Sequence, residues 1–130
     1  MEEIILLGAG GHCKAVIDVI EQENKYKILG LLDNLKNIGD KISGYSVLGN
    51  DELIDHFINL NKKFVITVGH VKSSNIRRKL SKKLPLALCP NIISPLSYIS
   101  SHASIGMGNV FMHNSIINID AKIGNHNIFN

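Results

Sequence analysis

A strict six-residue period governs the C-terminal part of this chain. From residue 93 onward a large apolar residue returns at every sixth position, and a small or amide residue stands four positions after most of them. The apolar series is Ile93, Ile99, Ile105, Phe111, Ile117, Ile123 and Phe129, and the small or amide series is Ser97, Ala103, Asn109, Ser115, Ala121 and Asn127. Such a period is the signature of a parallel β-helix, with apolar residues on the axis and small residues at the corners.

The residues before Asn91 follow a different pattern, in which short apolar runs alternate with amphipathic segments. Strands are predicted at 3–8, 26–33, 64–69 and 86–89, helices at 13–24, 51–61 and 72–83, and a loop with one short extended piece at 33–50. This alternation indicates right-handed crossovers and a parallel sheet. We therefore predict an α/β fold: a Rossmann-like parallel-sheet domain over residues 1–90, followed by the first coils of a parallel β-helix over residues 91–130.

Charge and cysteine content exclude several functional classes. The net charge of +3 is too small for a dedicated nucleic-acid binder. Six of the 14 cations lie between Lys72 and Lys83, which favours a solvated helix face, with a phosphate-steering patch as the alternative. Cys13 and Cys89 have no metal-site spacing and suit a reducing cytoplasm. Because of this spacing, no metal partner is expected. No signal peptide or membrane span is readable in the sequence, so no membrane partner is expected either.

A glycine-rich turn joins the first predicted strand to the first predicted helix. Gly8, Gly10, Gly11 and His12 occupy this turn, where backbone N–H groups and the helix dipole favour an anion. Cys13 stands where a full dinucleotide fingerprint would have its third glycine. The pattern therefore favours a nucleotide or sugar nucleotide over NAD, and the alternative is a tight turn needed only for packing.

Polar residues also follow the second and third predicted strands. Asp33 and Asn34 come after the second strand, and Gly69 and His70 after the third. The carboxyl ends of parallel strands are where open α/β sheets bind ligands, and an acid after the second strand usually meets a sugar hydroxyl. A cap for the loop that starts at Asn34 is the alternative role for Asp33.

The other histidines are less informative. His56 is expected to be structural, and His102, His113 and His126 are expected to project outward from the faces of the β-helix. An acyltransferase needs a general base to deprotonate its attacking amine or hydroxyl. No Ser-His-Asp or Cys-His arrangement is readable, and Cys13 is interpreted as an ordinary helix position.

Taken together, the stretches ILLGAGGHCKAVIDVI, LLDN, ISGYSVLG, ITVGHVKSSNIRRKL and the hexapeptide tract resemble the NeuD/PglD-type sugar O-/N-acetyltransferases. The resemblance covers essentially the whole chain. It implies a bacterial enzyme that uses acetyl-CoA to acetylate UDP- or CMP-linked amino sugars, or free sialic-acid-type sugars. The α/β domain would bind the sugar nucleotide, and a left-handed β-helix would form a homotrimer and hold acetyl-CoA between subunits.

The resemblance also implies a set of substrate-binding residues, which are Gly8, Gly10, Gly11, His12, Asp33, Asn34, Gly69 and His70. Asn34 departs from the family, which often has two acids here, and His70 stands where many members have asparagine. The family's catalytic base is a histidine followed by an acid, and it would lie a few residues past Asn130. No catalytic residue is therefore expected within the chain.

Three functional hypotheses remain at this point. The first is the N-terminal part of a sugar-nucleotide acetyltransferase that lacks the later coils. The second is a non-catalytic sugar-nucleotide-binding module or inactive remnant, and the third is a small NAD-binding oxidoreductase domain. Because coils bury their apolar faces only on one another, we also expect the last coil to be poorly ordered or covered by another chain.

Overall fold

The computed structural model describes residues 1–69 and 74–130. The N-terminal part contains strands β1 (Glu2–Leu7), β2 (Tyr26–Leu32), β3 (Lys41–Ile42), β4 (Tyr45–Gly49) and β5 (Lys63–Ile66), with helices α1 (Gly11–Glu23), α2 (Ile54–Asn59) and α3 (Ser74–Lys83). The C-terminal part contains strands β6 (Ile92–Ile93), β7 (Tyr98–Ile99), β8 (Ser104–Ile105), β9 (Val110–Phe111), β10 (Ile116–Ile117), β11 (Lys122–Ile123) and β12 (Ile128–Phe129).

The N-terminal strands form one sheet in the order β3-β4-β2-β1-β5. All neighbours pair in parallel except β3, which runs antiparallel to β4. Successive side chains of a strand point to opposite faces, so Ile4 and Leu6 join the core beneath α1, while Ile5 and Leu7 join the core beneath α2 and α3. Burial on both faces explains the continuous apolar run of β1 and confirms the predicted α/β class.

One predicted element is wrong. Residues 86–89 form a 3₁₀ turn at Leu86–Leu88 in place of a strand, because Pro85 and Pro90 cannot donate to a ladder on either side. The fourth parallel strand is β4, which corresponds to the short extended piece predicted within residues 33–50. Ser43 and Gly44, at φ 50° and 90°, form the tight turn between β3 and β4.

Each coil of the β-helix has 18 residues, which is three of the predicted six-residue units. Ile92 and Ile128 both align with Val110, Tyr98 aligns with Ile116, and Ser104 aligns with Lys122. The inward rings of Phe111 and Phe129 stack with centroids 5.0 Å apart. The predicted roles of the apolar and small positions are confirmed at these residues, since Phe111 and Asn109 are both fully buried.

Asparagines form a ladder along one corner of the β-helix. The Asn91 side-chain oxygen accepts from the Asn109 backbone N–H at 2.9 Å, and the Asn109 oxygen accepts from the Asn127 N–H at 2.9 Å. The Asn109 amide also donates to the Gly124 carbonyl at 2.9 Å. The amide at this position therefore satisfies backbone groups that a corner would otherwise leave unpaired.

Helix α1 lies between the sheet and the β-helix. The outward side chains of Ile92 and Val110 are completely buried and belong to the same core as Val16 and Ile20 of α1. The tail continues as a regular coil through Phe129. The expectation that the last coil is poorly ordered or covered by another chain stays a prediction. The division at Pro90–Asn91 likewise stays a prediction.

The basic helix α3 is not uniformly solvated. Arg78, Lys79, Lys82 and Lys83 are exposed, as the solvated-face interpretation expects. Arg77 is only 4% exposed, so that interpretation is wrong for this residue. The amphipathic spacing turns Arg77 toward the sheet together with Leu80, which is also buried.

Candidate functional site: a cavity at the carboxyl ends of β1, β2 and β5

A cavity of about 510 Å³ opens where β1, β2 and β5 end. It is lined by Gly8, Gly10, Gly11, His12, Asp33, Asn34 and Gly69 of the predicted site, and by Leu7, Ala9, Leu32, Leu35, Asp51, Thr67, Val68, Ile76 and Leu80. His70, the remaining predicted residue, lies outside the described residues. The structure therefore brings seven predicted residues from three strand ends around one cavity, as the parallel sheet requires.

Gly8 makes the sharp turn that opens the cavity. Its φ of +123° disfavours any residue with a Cβ, and a Cβ there would lie 2.6 Å from Val68 Cγ2. The Gly8 carbonyl accepts a hydrogen bond of 2.6 Å from the buried Thr67 hydroxyl, and its N–H donates to the Leu32 carbonyl at 2.9 Å. Gly8 is thus required by packing, as the alternative interpretation of the turn proposed.

Gly10 and Gly11 differ from Gly8 in this respect. A Cβ added to either residue would meet no atom of the described residues within 4 Å. Helix α1 begins here, and no described side chain caps its N-terminus at Gly10. Because packing does not require glycine at these two positions, the bare backbone keeps a helix N-terminus accessible from the cavity, where it favours an anion.

Asp33 holds the glycine turn and the following loop in place. One carboxylate oxygen accepts from the Ala9 N–H at 2.8 Å, and the other accepts from the N–H groups of Leu35 and Lys36 at 2.8 and 2.9 Å. The loop-cap role of Asp33 is therefore confirmed. A carboxylate has about four acceptor sites in total, so Asp33 keeps capacity to accept a ligand hydroxyl.

Asn34 pairs with Asp51, a cavity residue that the sequence analysis did not identify. The Asn34 side chain donates to the Asp51 carboxylate at 3.0 Å and accepts from the Asp51 N–H at 3.0 Å. This clasp joins the end of β2 to the 3₁₀ turn after β4. Asp51 lies two residues after β4 and begins the segment predicted as a helix over 51–61, so the sequence analysis did not interpret it as an acid at a strand end.

The rest of the cavity wall is mainly apolar. Leu35 comes from the loop after β2, and Ile76 and Leu80 come from α3. Leu35 is 94% exposed and Ile76 is 51% exposed, so two large apolar side chains stand in solvent at the cavity. Apolar walls combined with a few oriented polar groups are typical of a small-molecule site.

His12 and Cys13 begin α1 beside the cavity. A Cβ on Gly69 would lie 3.4 Å from His12 Cβ, so His12 is packed against the end of β5. Cys13 is completely buried, and this burial raises the pKa of its thiol to about 11. An un-ionised, inaccessible thiol is a poor nucleophile, which agrees with an ordinary helix position for Cys13.

The structure contains a Ser-His-Asp arrangement that the sequence analysis did not find. His113 Nδ1 lies 2.5 Å from Ser94 Oγ, and His113 Nε2 lies 2.8 Å from an Asp18 carboxylate oxygen. Ser94 is only 1% exposed, and its hydroxyl oxygen already accepts from the Leu96 N–H. The arrangement therefore joins α1 to the β-helix and does not present a nucleophile. Asp18 and His113 are 95 residues apart, so no local pattern signals it.

The histidines of the β-helix differ from one another. His102 is exposed, as expected. His113 projects outward from the β-helix as expected, but it is half-buried because it contacts Asp18 of α1. The outward projection expected for His126 is wrong, because its half-buried ring covers Gly108 of the neighbouring coil. The pKa of His126 is lowered below its usual value of 6.5, mainly by burial and to a smaller extent by the charge of Arg77.

The fold and cavity define a class of protein: an α/β domain with a cavity at its strand ends, followed by a hexapeptide-repeat β-helix. The family model of the PglD N-terminal domain matches residues 3–84. The chain therefore belongs to the PglD N-terminal domain family, and the resemblance to NeuD/PglD-type sugar acetyltransferases is confirmed. Among the described residues, no helix has the length and apolar character needed to cross a membrane.

Solved structures share the whole fold. The chain superimposes with a TM-score of 0.87 and 23% identity on perosamine N-acetyltransferase from Caulobacter crescentus in complex with CoA and GDP-perosamine, covering 100% of this chain and 60% of that one. It superimposes with a TM-score of 0.86 and 26% identity on the acetyltransferase domain of PglB from Neisseria gonorrhoeae in complex with acetyl coenzyme A, covering 99% and 62%.

One curated relative is similar in sequence over nearly the whole chain. The uncharacterized protein L142 of Acanthamoeba polyphaga mimivirus is 35% identical over 125 residues, which are 96% of this chain and 24% of that protein. The chain thus spans about a quarter of this relative and about 60% of the similar solved structures.

Proposed function

We propose that this chain is the sugar-nucleotide-binding part of an acetyltransferase that acetylates an amino sugar. The observation that carries the proposal is the uncapped start of α1 at Gly10 and Gly11, where the backbone meets open space beside the cavity. The similar Caulobacter enzyme binds GDP-perosamine, a sugar nucleotide, and this supports the same class of ligand here.

Within the cavity, each wall fits one part of a sugar nucleotide. The diphosphate lies at the glycine turn, because backbone N–H groups and the dipole of α1 favour negative charge there. The base lies against the apolar side chains of Leu35, Ile76 and Leu80. Hydroxyl groups of the sugar or ribose donate to the remaining acceptor sites of Asp33 and Asp51. His12, Asn34, Gly69 and His70 complete the proposed binding set.

Acetyl-CoA is the proposed co-substrate, as it is for the similar PglB domain. In the transfer, the amine nitrogen bonds to the thioester carbonyl carbon, the carbon–sulfur bond breaks, and CoA leaves as the thiol. A general base must take the proton that the amine loses. We propose that this base is a histidine beyond Asn130, in a trimeric full-length protein, because His102, His113 and His126 do not match the family's position.

The cellular setting is proposed to be the cytoplasm. Cys13 and Cys89 are free and buried, and sparse unpaired thiols suit a reducing compartment.

UDP-, CMP- and GDP-linked amino sugars and free sialic-acid-type sugars are the candidate acceptors.

The test begins with calorimetric titration of the protein with GDP-, UDP- and CMP-linked amino sugars, and with NAD as the competing class. We expect saturable binding of at least one sugar nucleotide and none of NAD; tight binding of NAD alone would overturn the proposal. The full gene product is then assayed for release of the CoA thiol from acetyl-CoA. Binding without transfer would identify a non-catalytic binding module.

A further inference from the structure

Arg77 is a buried cation at the junction of the cavity and the β-helix. Its side chain reaches inward from α3 and is only 4% exposed, whereas its neighbour Arg78 is exposed. None of the salt bridges among the described residues involves Arg77. A buried charge without a carboxylate partner is costly unless other groups solvate it, so its position calls for a physical reason.

Three backbone carbonyls surround the guanidinium. Nη1 donates to the Val68 carbonyl at 2.6 Å and to the Ile66 carbonyl at 3.2 Å, and Nη2 donates to the His126 carbonyl at 2.8 Å. Ile66 is the last residue of β5 and Val68 lies two residues further on, whereas His126 lies at a corner of the β-helix. The planar guanidinium with its five N–H donors suits several fixed acceptors at once.

On the cavity side, Arg77 holds a residue of the wall. Val68 lines the cavity, and its Cγ2 lies 2.6 Å from the position that a Cβ on Gly8 would occupy. The carbonyl of Val68 is therefore tied to Arg77 while its side chain is packed against the glycine turn. Because the packing of the Val68 side chain keeps this wall residue in place, its carbonyl is a fixed anchor for Arg77.

On the β-helix side, Arg77 contacts a corner at His126 whose backbone conformation is restricted. His126 has a φ of 57°, and its N–H donates to the Met107 carbonyl at 2.9 Å. Its ring covers Gly108, where a Cβ would lie 2.5 Å from Nδ1. Burial and the nearby charge of Arg77 lower the pKa of this histidine, so the corner adds no second positive charge at neutral pH.

We propose that Arg77 is a positioning residue that fixes the β-helix corner at His126 relative to the wall of the cavity. This inference rests on the proposed function, in which the sugar nucleotide lies in the cavity and the base lies in a coil beyond Asn130. Arg77 then sets the distance between the bound acceptor and the base without touching either. A misplacement of about 1 Å can lower the rate of such a reaction about 100-fold.

The variants R77K and R77M separate charge from geometry. Lysine keeps the charge but is a compact donor that lacks the rigid fork, so it cannot serve the Val68 and His126 carbonyls in the same way. Methionine keeps the length and apolar stem but donates nothing. R78K and R78M, at the exposed neighbour in the same helix, are the matched controls.

The experiment measures sugar-nucleotide affinity by calorimetry and kcat and KM for acetyl transfer, using the full gene product. For R77K we expect kcat to fall roughly tenfold or more, while affinity stays within about threefold, a difference of roughly 0.7 kcal/mol. Unchanged kcat would overturn the inference, as would equal losses in affinity and kcat, which would mean that Arg77 acts on the cavity alone. Failure of both R77K and R77M to fold would also overturn it.

A second measurement does not depend on activity. Amide hydrogen exchange should accelerate around His126 in R77K, while the β1 amides should keep their wild-type rates; equal rates at both places would contradict the inference. If the wild-type protein transfers no acetyl group, the proposed function fails, and the exchange experiment still tests the contact that Arg77 makes.

Discussion

Glycines occur in two regions of this molecule, and the space around them is open in one region and filled in the other. At the cavity, a Cβ on Gly10 or Gly11 would meet nothing within 4 Å, so the backbone is left uncovered. In the β-helix, a Cβ on Gly106 would lie 2.5 Å from the Gly124 carbonyl, and one on Gly108 would lie 2.5 Å from the His126 ring. The neighbouring coil has filled the space in the second region, and no described residue has filled it in the first.

This difference teaches how to interpret the two glycine patterns. In a β-helix, the missing side chain lets one coil approach the next, so the glycine serves the fold. In the turn before α1, the missing side chain leaves the helix N-terminus approachable from outside, so the glycine leaves room for the proposed sugar nucleotide. The comparison can be tested by adding the same methyl group in both regions.

The largest effect is expected at the closed corner. We expect Gly106→Ala to lower the free energy of unfolding by about 2–3 kcal/mol, because the methyl group must displace backbone atoms of the next coil. Urea denaturation followed by circular dichroism measures this loss. Gly124→Ala is the matched control, since a Cβ there would meet no described atom within 4 Å. Equal stability of the two variants would remove the distinction between open and closed positions within the β-helix.

A smaller effect, in a different quantity, is expected at the open turn. Gly10 has φ −85° and ψ −164°, which alanine also adopts, so Gly10→Ala should change the free energy of unfolding by about 1 kcal/mol or less. The methyl group should nevertheless weaken sugar-nucleotide binding roughly tenfold, or about 1.4 kcal/mol. Calorimetry measures the affinity. If Gly10→Ala lost as much stability as G106A and kept its affinity, Gly10 would serve the fold and the contrast between the two regions would be wrong.

The smallest effect is expected where α1 meets the β-helix. Burial raises the pKa of Glu23 above its usual 4.5, despite a hydrogen bond from the Ile93 backbone and the nearby Lys25. Because the folded state binds this proton more tightly, Glu23 lowers stability as the pH rises through 4.5 and the raised value. We expect Glu23→Gln to increase the free energy of unfolding at pH 7 by about 1 kcal/mol or less, with no gain well below pH 4.5.

The measurement for Glu23 is a series of urea titrations between acidic and neutral pH. Glu52→Gln removes a carboxylate from an exposed position and controls for the change in net charge. A gain for E23Q that stays the same at every pH would show that the carboxylate does not titrate as the burial of Glu23 implies.

Long-range periodicity made most of the fold predictable. The six-residue series from Ile93 to Phe129 defines the coils without any knowledge of contacts, and the doubly buried run of β1 identifies a parallel sheet. Short elements were harder to predict, because the flanking residues decided whether each segment formed a strand or a turn. Val47 and Gly49 of β4 are surrounded by polar turn residues, and Leu86–Leu88 has an apolar composition but lies between prolines.

The candidate site was predictable to the extent that its residues follow strands. Gly8, Asp33 and Gly69 lie at strand ends, where topology alone brings them together. Asp51 was missed because it was interpreted only as the start of the predicted helix over 51–61. Arg77 was missed because a charged residue in a basic helix looks solvated, and only the carbonyls around it show otherwise.

Helix α1 has one further consequence, for the exchange of parts between related proteins. Val16 and Ile20 belong to the same core as Ile92 and Val110, so the α/β part and the β-helix are not independent modules. A chimaera joined at residue 90 would place a foreign helix against β6 and β9 and would expose or crowd that shared core. A change of specificity for the proposed sugar nucleotide is therefore more safely introduced through loop residues such as Leu35 than through replacement of the whole N-terminal part.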